Sequence, residues 1–429
     1  MQFTLYNINT MNIKHILYKF TILSAFLFLT APFSFGQAAK VQTPRQEKLL
    51  NGLKTLVWNE SGADKVAVKI RIHNGSAFDP QNKEGVMALL AEVLFPNETV
   101  KEFFREDLGG SLEIMSNYDY VQINATANPD QFLTMLETVA NAVTNPQIDK
   151  ETTQKVRAAL IEKVKGLEKN PVYAADRAVA RRLFGDFPYG RAQTGTVESL
   201  AKIDFADLLF AKQRFLTSDN ATVAISGNVK PELALRAMRR YFGSWIKADK
   251  KVPATFRQPD APDTTVLTNK SLDENRSELR IAFRGLARND KDFWASNVLT
   301  NILRKRHNGE VRQEPRLLPG MLLLSVSAMD IVTPQMNKVM VDSYFSPPIK
   351  DVEFVAAKNE LLDEINKKNV AEMWLDLDTY KLDSVKADLQ TAQNTTVADV
   401  NRLVERFKKE PMVTVLMLRN KPVITTSNN

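Results

Sequence analysis

Hydrophobic and polar positions follow two periods along this chain, and each period predicts a different element. Residues 66–74, "VAVKIRIHN", place apolar side chains at every second position, which predicts a strand with one face buried and the other in solvent. Residues 84–95, "EGVMALLAEVLF", and residues 129–146, "PDQFLTMLETVANAVTNP", repeat apolar positions every three or four residues. That period predicts amphipathic helices. Residues 109–117 and 120–128 predict a hairpin between them.

The same kinds of element recur after a polar, proline-rich stretch at residues 251–262. Strands are predicted at "SELRIAFRGL", "MLLLSVSAM" and "MVTVLMLRN", and helices at "DFWASNVLTNILRKR" and "DVEFVAAKNELLDEINKK". The recurrence predicts an α+β protein of two related domains, residues 45–250 and 263–429, with a linker at 251–262.

The first 36 residues have the composition of a targeting segment rather than of a folded one. A basic start precedes an apolar stretch at residues 20–31, and small residues follow at Ser34 and Gly36. This pattern predicts a signal peptide at residues 1–36. A membrane anchor would need about 20 apolar residues, and this stretch is shorter. The chain has no cysteine, so disulfides and a lipid anchor on cysteine are excluded. We therefore expect an exported protein without a membrane anchor, most simply in a bacterial periplasm.

The charge of the chain gives little sign of a nucleic-acid partner. The formal net charge is +7, and it falls to about +5 without Lys14 and Lys19 of the predicted signal peptide. No run of basic residues is interleaved with aromatic residues, which is the pattern expected of a nucleic-acid surface. We expect no nucleic acid among the partners.

Several segments together resemble the insulinase-like zinc peptidases, family M16. They are "IHNGSAFDPQNKEGVMALLAEVLF", "GGSLEIMS", "FPYGRAQTGTVESLAKID", "LTSDNATVAISGNV" and "RRYFGSW", in the order the family has them. The likeness spans residues 47 to 420, nearly the whole chain after the predicted signal peptide. It implies the family fold, two related domains that each pack helices on one face of a mainly antiparallel sheet.

The family's zinc motif is absent from the matching helix. In H-x-x-E-H, two histidines four residues apart share one helix face and bind Zn²⁺, while the glutamate takes a proton from the zinc-bound water. The five positions here read "ALLAE", with Ala88 and Ala91 at the first histidine and the glutamate, and Glu92 at the second histidine. The resemblance places the third ligand on Lys163, with Glu162 one residue earlier. We expect no catalytic residue and no zinc or other cofactor in this chain.

The two remaining histidines after the signal peptide do not restore a metal site. His73 ends a strand that should face solvent on one side, so we expect a solvated or capping role. His307 follows Arg304, Lys305 and Arg306, and these positive charges disfavour another cation. The sequence contains no second cluster of His, Asp and Glu at metal-ligand spacing.

Two regions are candidates for contact with a peptide. The resemblance makes residues 110–117 the edge strand to which a peptide adds as a further strand, with contacts from Ser111, Leu112, Glu113 and Ile114. It also makes Arg312 a substrate-binding residue of the second domain. An exposed arginine that is merely solvated is the alternative for Arg312.

The resemblance implies a non-catalytic subunit that shapes a peptide-binding chamber with an active, zinc-bearing M16 partner. One alternative is an active metallopeptidase with a relocated site. Another is a stand-alone peptide-binding, chaperone-like homodimer. If the helix register holds, Glu92 and Lys163 stand at two positions that converge on one ion in an intact enzyme. We therefore predict that their side chains approach within about 4 Å, as a buried pair or as one open to solvent.

Overall fold

The computed structural model describes residues 42–248, 256–257, 259–307, 310–329, 342–346 and 348–419 of the 429-residue chain. The predicted signal peptide lies outside these residues, and so do residues 251–255 and 258 of the predicted linker. The described chain forms two sheets with helices packed against both, which confirms the predicted α+β class.

The N-terminal half contains a six-stranded sheet in the order β1-β2-β6-β3-β5-β4. Strands β2 and β6 are parallel, and the other neighbours are antiparallel. The predicted hairpin is confirmed as β4 and β5, and β4 lies at the edge of the sheet. The strands are β1 (Arg45–Lys48), β2 (Lys54–Asn59), β3 (Val66–Ile72), β4 (Ser111–Ser116), β5 (Val121–Ala127) and β6 (Ala221–Gly227).

Helices of the same half cover one face of this sheet and share a single apolar core with it. The helix predicted at residues 84–95 is α1, which packs against α4, α7 and β4. The helices are α1 (Val86–Val93), α2 (Glu98–Glu106), α3 (Phe132–Thr144), α4 (Lys150–Glu168), α5 (Pro171–Phe184), α6 (Val197–Ala201), α7 (Phe205–Phe215) and α8 (Pro231–Phe242).

The C-terminal half contains a five-stranded sheet in the order β7-β11-β8-β10-β9. Its strands are β7 (Leu267–Lys270), β8 (Ser277–Arg284), β9 (Glu310–Gln313), β10 (Met321–Ala328) and β11 (Val413–Leu418). Its helices include α9 (Phe293–His307), α10 (Asp351–Lys367), α11 (Val370–Tyr380), α12 (Val385–Asn394) and α13 (Val397–Phe407). A second apolar core joins this sheet to α9, α10 and α13.

Each half covers the second face of the other half's sheet with one helix. Helix α11 of the C-terminal half lies on the N-terminal sheet, where Trp374 meets Trp58 edge to face with ring centroids 6.3 Å apart. Helix α5 of the N-terminal half lies on the C-terminal sheet, where Val179 packs with Val413 and Val415. The two halves therefore complete each other's cores.

We call α5 and α11 the exchanged helices, because each packs on the sheet of the other half. Both begin at an asparagine that caps them. The side chain of Asn170 accepts hydrogen bonds from the backbone N–H groups of Val172 and Tyr173 at the start of α5. Asn369 accepts one from Ala371 at the start of α11. Such caps satisfy N–H groups that have no partner inside the helix. They fix where each helix starts, while its position in the fold depends on the opposite sheet.

The expectation of a solvent-exposed face on β3 is wrong, because α11 covers that face. Lys69 and Arg71, at the polar positions of the strand, pair with Glu372 of α11, and Arg71 also pairs with Asp376. Alternation alone cannot tell a face in solvent from a face under a polar helix. The polar positions here mark the contact between the two halves.

Within the described part of the chain, none of the helices combines the length and the apolar composition that crossing a membrane requires.

Candidate functional site

The loop before α1 is built around a buried carboxylate that caps the helix. Asp79 accepts hydrogen bonds from the backbone N–H groups of Gly85 at 2.7 Å and Met87 at 2.9 Å. Burial raises the pKa of Asp79 to about 8, although the two backbone hydrogen bonds act in the opposite direction. The aspartate therefore satisfies two N–H groups at the start of the helix.

A second segment, residues 194–199, holds the start of α1 from the other side. Gly85 has φ 102°, and a Cβ there would lie 2.9 Å from the carbonyl oxygen of Thr194. The hydroxyl of Ser199 donates a hydrogen bond of 2.7 Å to the carbonyl oxygen of Glu84. The left-handed conformation and the close approach both require glycine at residue 85. These contacts fix the direction in which α1 leaves the loop.

The three motif positions of α1 divide into two buried methyls and one carboxylate at the surface. Ala88 and Ala91 are each 3% exposed and belong to the N-terminal core. Neither side chain has an atom that could bind a metal or transfer a proton. Glu92 is the only one of the three that reaches solvent, and its side chain is 44% exposed. The helix contributes packing where a catalytic helix would contribute ligands.

Glu92 and Lys163 approach each other as predicted. Of the two predicted arrangements, buried and open to solvent, the structure has the open one. Lys163 Nζ lies 3.5 Å from Glu92 Oε1, and the lysine side chain is 61% exposed. A pair this open is worth about 0–1 kcal/mol because water screens it. Glu162, one residue earlier, points elsewhere and pairs with Lys165 at 2.7 Å. The two helices thus have the predicted relative register.

The predicted peptide-binding strand lies beside this pair of helices. Strand β4 contacts α1, and Leu112 belongs to the same apolar core as Ala88 and Ala91. Ser111 and Glu113 point away from the core and are exposed. One face of the strand is therefore anchored, while its outer edge pairs with no other strand of the described residues.

Two family models match consecutive parts of the chain. Residues 54–197 match the model described as insulinase (peptidase family M16), and residues 202–316 match the peptidase M16 inactive domain. The chain belongs to the M16 peptidase family. The second match begins inside the N-terminal half, so the boundary at residues 251–262 stays a prediction.

Relatives of known sequence carry peptidase names. An uncharacterized zinc protease of Mycobacterium tuberculosis is 23% identical over 302 residues, 68% of this chain and 68% of that protein. An uncharacterized zinc protease of Rickettsia bellii is 20% identical over 396 residues, 89% of this chain and 93% of that protein.

Solved structures show the same fold. A peptidase M16 inactive domain from Pseudomonas fluorescens superimposes with a TM-score of 0.78 at 16% identity, covering 89% of this chain and 98% of that one. The periplasmic protease PqqL from Escherichia coli superimposes with a TM-score of 0.69 at 15% identity, covering 88% of this chain and 48% of that one.

The residues at the M16 zinc position do not fit zinc. A zinc site in a peptidase needs three nitrogen, sulfur or oxygen ligands around one point. Here the first position is a buried methyl, and the second and third positions hold an anion and a cation that pair with each other. Among the described residues, no three His, Asp or Glu side chains gather closely enough to hold a metal ion.

The structure gives Arg312 a partner that the sequence did not suggest. Arg312 lies on edge strand β9, and its guanidinium pairs with Asp176 of α5 and, at 3.5 Å, with Glu310. A cavity of about 60 Å³ lies beside it, lined in part by Tyr118 and Tyr189. Arg312 therefore joins the two halves rather than standing alone on a loop. Its role in binding a substrate stays a prediction.

The expectation of a solvated or capping His73 is wrong. Its ring nitrogens lie 2.9 Å from Thr222 Oγ1 and 3.0 Å from Thr379 Oγ1, so the ring sits between the N-terminal sheet and α11. Thr222 donates its own proton to Asp378, which leaves its oxygen to accept from the ring. Burial, opposed by Asp378 and reinforced by Arg71, lowers the pKa of His73 to about 3. The side chain of His307 lies outside the described residues.

Sequence reasoning missed the residues that position the site. Asp79 had a readable signal, an acidic residue in the loop before an apolar helix. Asp176 and Gln193, whose amide bonds to the carbonyl oxygen of Ser116 on β4, had none. Their partners lie 136 and 77 residues away in the chain, and only the folded structure brings them together.

Proposed function

We propose that this chain is a non-catalytic M16 subunit that binds extended peptide and forms one half of a chamber with an active, zinc-bearing M16 chain. The observation that carries the proposal is helix α1. It keeps the packing, the cap and the glycine of its loop, and it presents methyls at Ala88 and Ala91 where a peptidase needs reactive groups. A scaffold that retains its form without its chemistry is suited to binding and assembly.

The edge strand β4 supports peptide binding. Strand addition relies on backbone hydrogen bonds, so it accepts many sequences and needs an unpaired edge. Strand β4 has that edge, and it lies against the helix that would face a substrate in an active member of the family. Unfolded peptide segments are the class of ligand that this arrangement suits.

The match to one half of a larger protein supports a partner. Its match to the periplasmic protease PqqL covers 88% of this chain but only 48% of that one, and its match to a structure of the first half of PqqL covers 92% of that half. The matched fold therefore corresponds to one half of PqqL. A second chain would supply the rest of a chamber, and a periplasmic location agrees with the export signal predicted at residues 1–36.

Reconstitution with an M16 chain of the same organism that carries an intact H-x-x-E-H motif tests the proposal. Adding this chain should raise the partner's kcat/KM on an unfolded peptide several-fold, and the two chains should elute together from a gel-filtration column. A zinc-bearing chain that is equally active alone would overturn the supporting role. Elution of this chain as a homodimer that binds peptide without a partner would favour the chaperone-like alternative.

A further inference from the structure

The hydrogen-bonding phase of strand β4 determines which of its backbone groups face the open edge. Asn117 donates its N–H to the carbonyl oxygen of Tyr120 at 2.9 Å, which closes the hairpin. Bonded and non-bonded pairs alternate along an antiparallel ladder. The alternation starts from the bonded residue Asn117. The backbone groups of Met115 and Glu113 therefore bond to β5, whereas Ser116, Ile114 and Leu112 direct their N–H and C=O groups outward.

Contacts at both ends of the strand agree with this phase and close the edge there. At one end the N–H of Gly110 donates to the carbonyl oxygen of Phe104 at 2.7 Å. At the other end the side-chain amide of Gln193 donates through Nε2 to the outward carbonyl oxygen of Ser116 at 2.9 Å. Between these ends, the described residues offer no partner to the outward groups of Leu112 and Ile114. The open stretch therefore measures only a few residues.

The segment that carries Gln193 is held firmly on one side. The carbonyl oxygen of Arg191 accepts from the hydroxyl of Tyr118 at 2.7 Å, and the guanidinium of Arg191 donates to the carbonyl oxygen of Asp79 at 3.0 Å. On the other side the N–H of Gly195 donates to the carbonyl oxygen of Ala192 at 3.0 Å. These bonds hold the backbone on either side of Gln193, so its side chain starts from a fixed position beside the end of β4.

We propose that Gln193 is the end stop of the peptide-binding edge and so fixes the register of a bound peptide. This inference rests on the proposed peptide binding at β4. The amide N–H of Gln193 occupies the position that a backbone N–H of an added strand would take at Ser116. A peptide then pairs with Leu112 and Ile114 and extends no further towards Ser116. The ligand class is an extended segment of about five residues, because the edge is open between Gly110 and Ser116 and paired strands advance equally per residue.

Backbone methylation of a peptide tests the register directly. The probe is a fluorescein-labelled eight-residue peptide of alanine, threonine and lysine, with versions methylated at one backbone nitrogen each. Binding is measured by fluorescence anisotropy. Wild-type protein should lose affinity only for peptides methylated at the nitrogens that face the carbonyl oxygens of Leu112 and Ile114. Gln193→Ala should make one further nitrogen sensitive and bind the unmodified peptide about two- to tenfold tighter, the range of one added hydrogen bond.

Two further variants separate the end stop from a general effect of glutamine substitution on binding. Gln193→Glu places an acceptor of similar shape against the carbonyl oxygen of Ser116, so it should give the pattern of Gln193→Ala. Gln154→Ala removes an exposed glutamine on α4 and should give the wild-type pattern. Identical methylation patterns in wild type, Gln193→Ala and Gln193→Glu would overturn the end stop while leaving edge binding in place.

A proline on the outward side of the edge tests the underlying function separately. Ile114→Pro removes an N–H that points away from β5, so the hairpin keeps its own hydrogen bonds. Peptide binding should fall at least tenfold in this variant, with thermal unfolding monitored to show that the fold persists. Binding that is unchanged in Ile114→Pro, or absent in wild type and Gln193→Ala alike, would overturn peptide binding at β4 and the end stop with it.

Discussion

Two contacts between secondary-structure elements of this molecule contain ion pairs, and they differ in burial. One is buried and the other is exposed to solvent. Between β3 and α11, Arg71 is 1% exposed and donates to Glu372, Asp376 and Gln122, with the ring of Tyr120 at 4.1 Å. Between α1 and α4, Glu92 and Lys163 form a single contact that is open to water.

The difference shows that the stability of this chain depends more on the contact between its halves than on the contact at the M16 zinc position. A buried charge without partners costs several kcal/mol, so the contact of Arg71 constrains both halves of the chain. Burial acts to raise the pKa of Asp376, but Lys368 and Arg71 together hold that pKa below its usual range. The exposed pair at the M16 zinc position constrains the fold little. The buried contact between the halves is closely constrained, whereas the surface at the M16 zinc position is open to water.

The C-terminal sheet repeats the buried arrangement in reverse. Arg280 of β8 is also 1% exposed, and it pairs with Asp176 of the exchanged helix α5 at 2.6 Å and with Glu278 at 2.9 Å. In both halves a buried arginine on a central strand meets a carboxylate on the helix that the other half supplies. We therefore expect the two halves to unfold as one unit.

Removing the buried cation should have the largest effect on stability. Arg71→Met removes the cation that Glu372 and Asp376 share and leaves each with one lysine partner, Lys69 and Lys368. The free energy of unfolding should fall by about 3 kcal/mol, the lower end of the range for a broken buried pair. Urea unfolding monitored by circular dichroism measures the change. Arg105→Met is the control, since Arg105 pairs with Glu106 in an exposed position and should change stability by less than about 1 kcal/mol. Equal effects of the two substitutions would contradict the comparison.

Acid should weaken the same contact through His73. The folded protein keeps this ring neutral down to about pH 3, whereas the unfolded chain takes up the proton near pH 6.5. The contribution of His73 is therefore fully present above pH 6.5 and is lost as the pH falls towards 3. Each pH unit in this window lowers stability by about 1.4 kcal/mol, so about 3 kcal/mol is lost by pH 4.5.

Replacement of the ring by a group that does not titrate checks this origin. His73→Gln can still bond to Thr222 and Thr379, so it should flatten the pH dependence of the free energy of unfolding between pH 6.5 and 4.5. Urea unfolding at several pH values gives the slope for each protein. A slope unchanged from wild type would assign the acid sensitivity to other groups.

Loss of the carboxylate on the other exchanged helix should have an intermediate effect. Asp176→Ala deprives both Arg280 and Arg312 of a partner, while Arg280 keeps Glu278. We expect a loss of about 1–3 kcal/mol, the cost of leaving a buried donor unsatisfied. Asp186→Ala, at an exposed pair with Arg181, is the matched control for urea unfolding. A change no larger than the control's would show that α5 needs no ionic anchor.

The Glu92–Lys163 pair at the M16 zinc position should have the smallest effect on stability. Lys163→Met and Glu92→Gln should each change the free energy of unfolding by less than about 1 kcal/mol, and the double variant should equal the sum of the two. Only a buried pair would lose more stability on substitution, and both of these side chains are exposed. A coupling energy above about 1 kcal/mol in the double-mutant cycle would contradict this account.

Much of the fold could be predicted from the sequence, because it depends on local patterns. The helical spacing of apolar residues in 84–95 predicted α1. The alternation of apolar and polar residues on either side of Asn117 predicted the hairpin β4–β5. The relation of Glu92 to Lys163 also followed, since the resemblance supplied the packing of two helices. Strand β4 at a sheet edge followed in the same way.

The exchange of helices between the halves could not be predicted, because it depends on contacts far apart in the chain. Helices α5 and α11 were not singled out, although Asn170 and Asn369 are recognisable caps. Polar residues on β3 indicated solvent, since a strand pattern does not reveal which element covers its second face. For the same reason the partner of Arg312 became visible only in the structure.

We propose that an M16 scaffold persists here without M16 chemistry. The most direct test of this proposal is mass spectrometry of an unfolded peptide mixture after incubation of the purified chain with equimolar zinc, with and without EDTA. Because Ala88 and Ala91 offer no ligand and no base, we predict that every peptide stays intact in both samples. Cleavage products that appear with zinc, vanish with EDTA and are lost in Glu92→Gln would contradict the account.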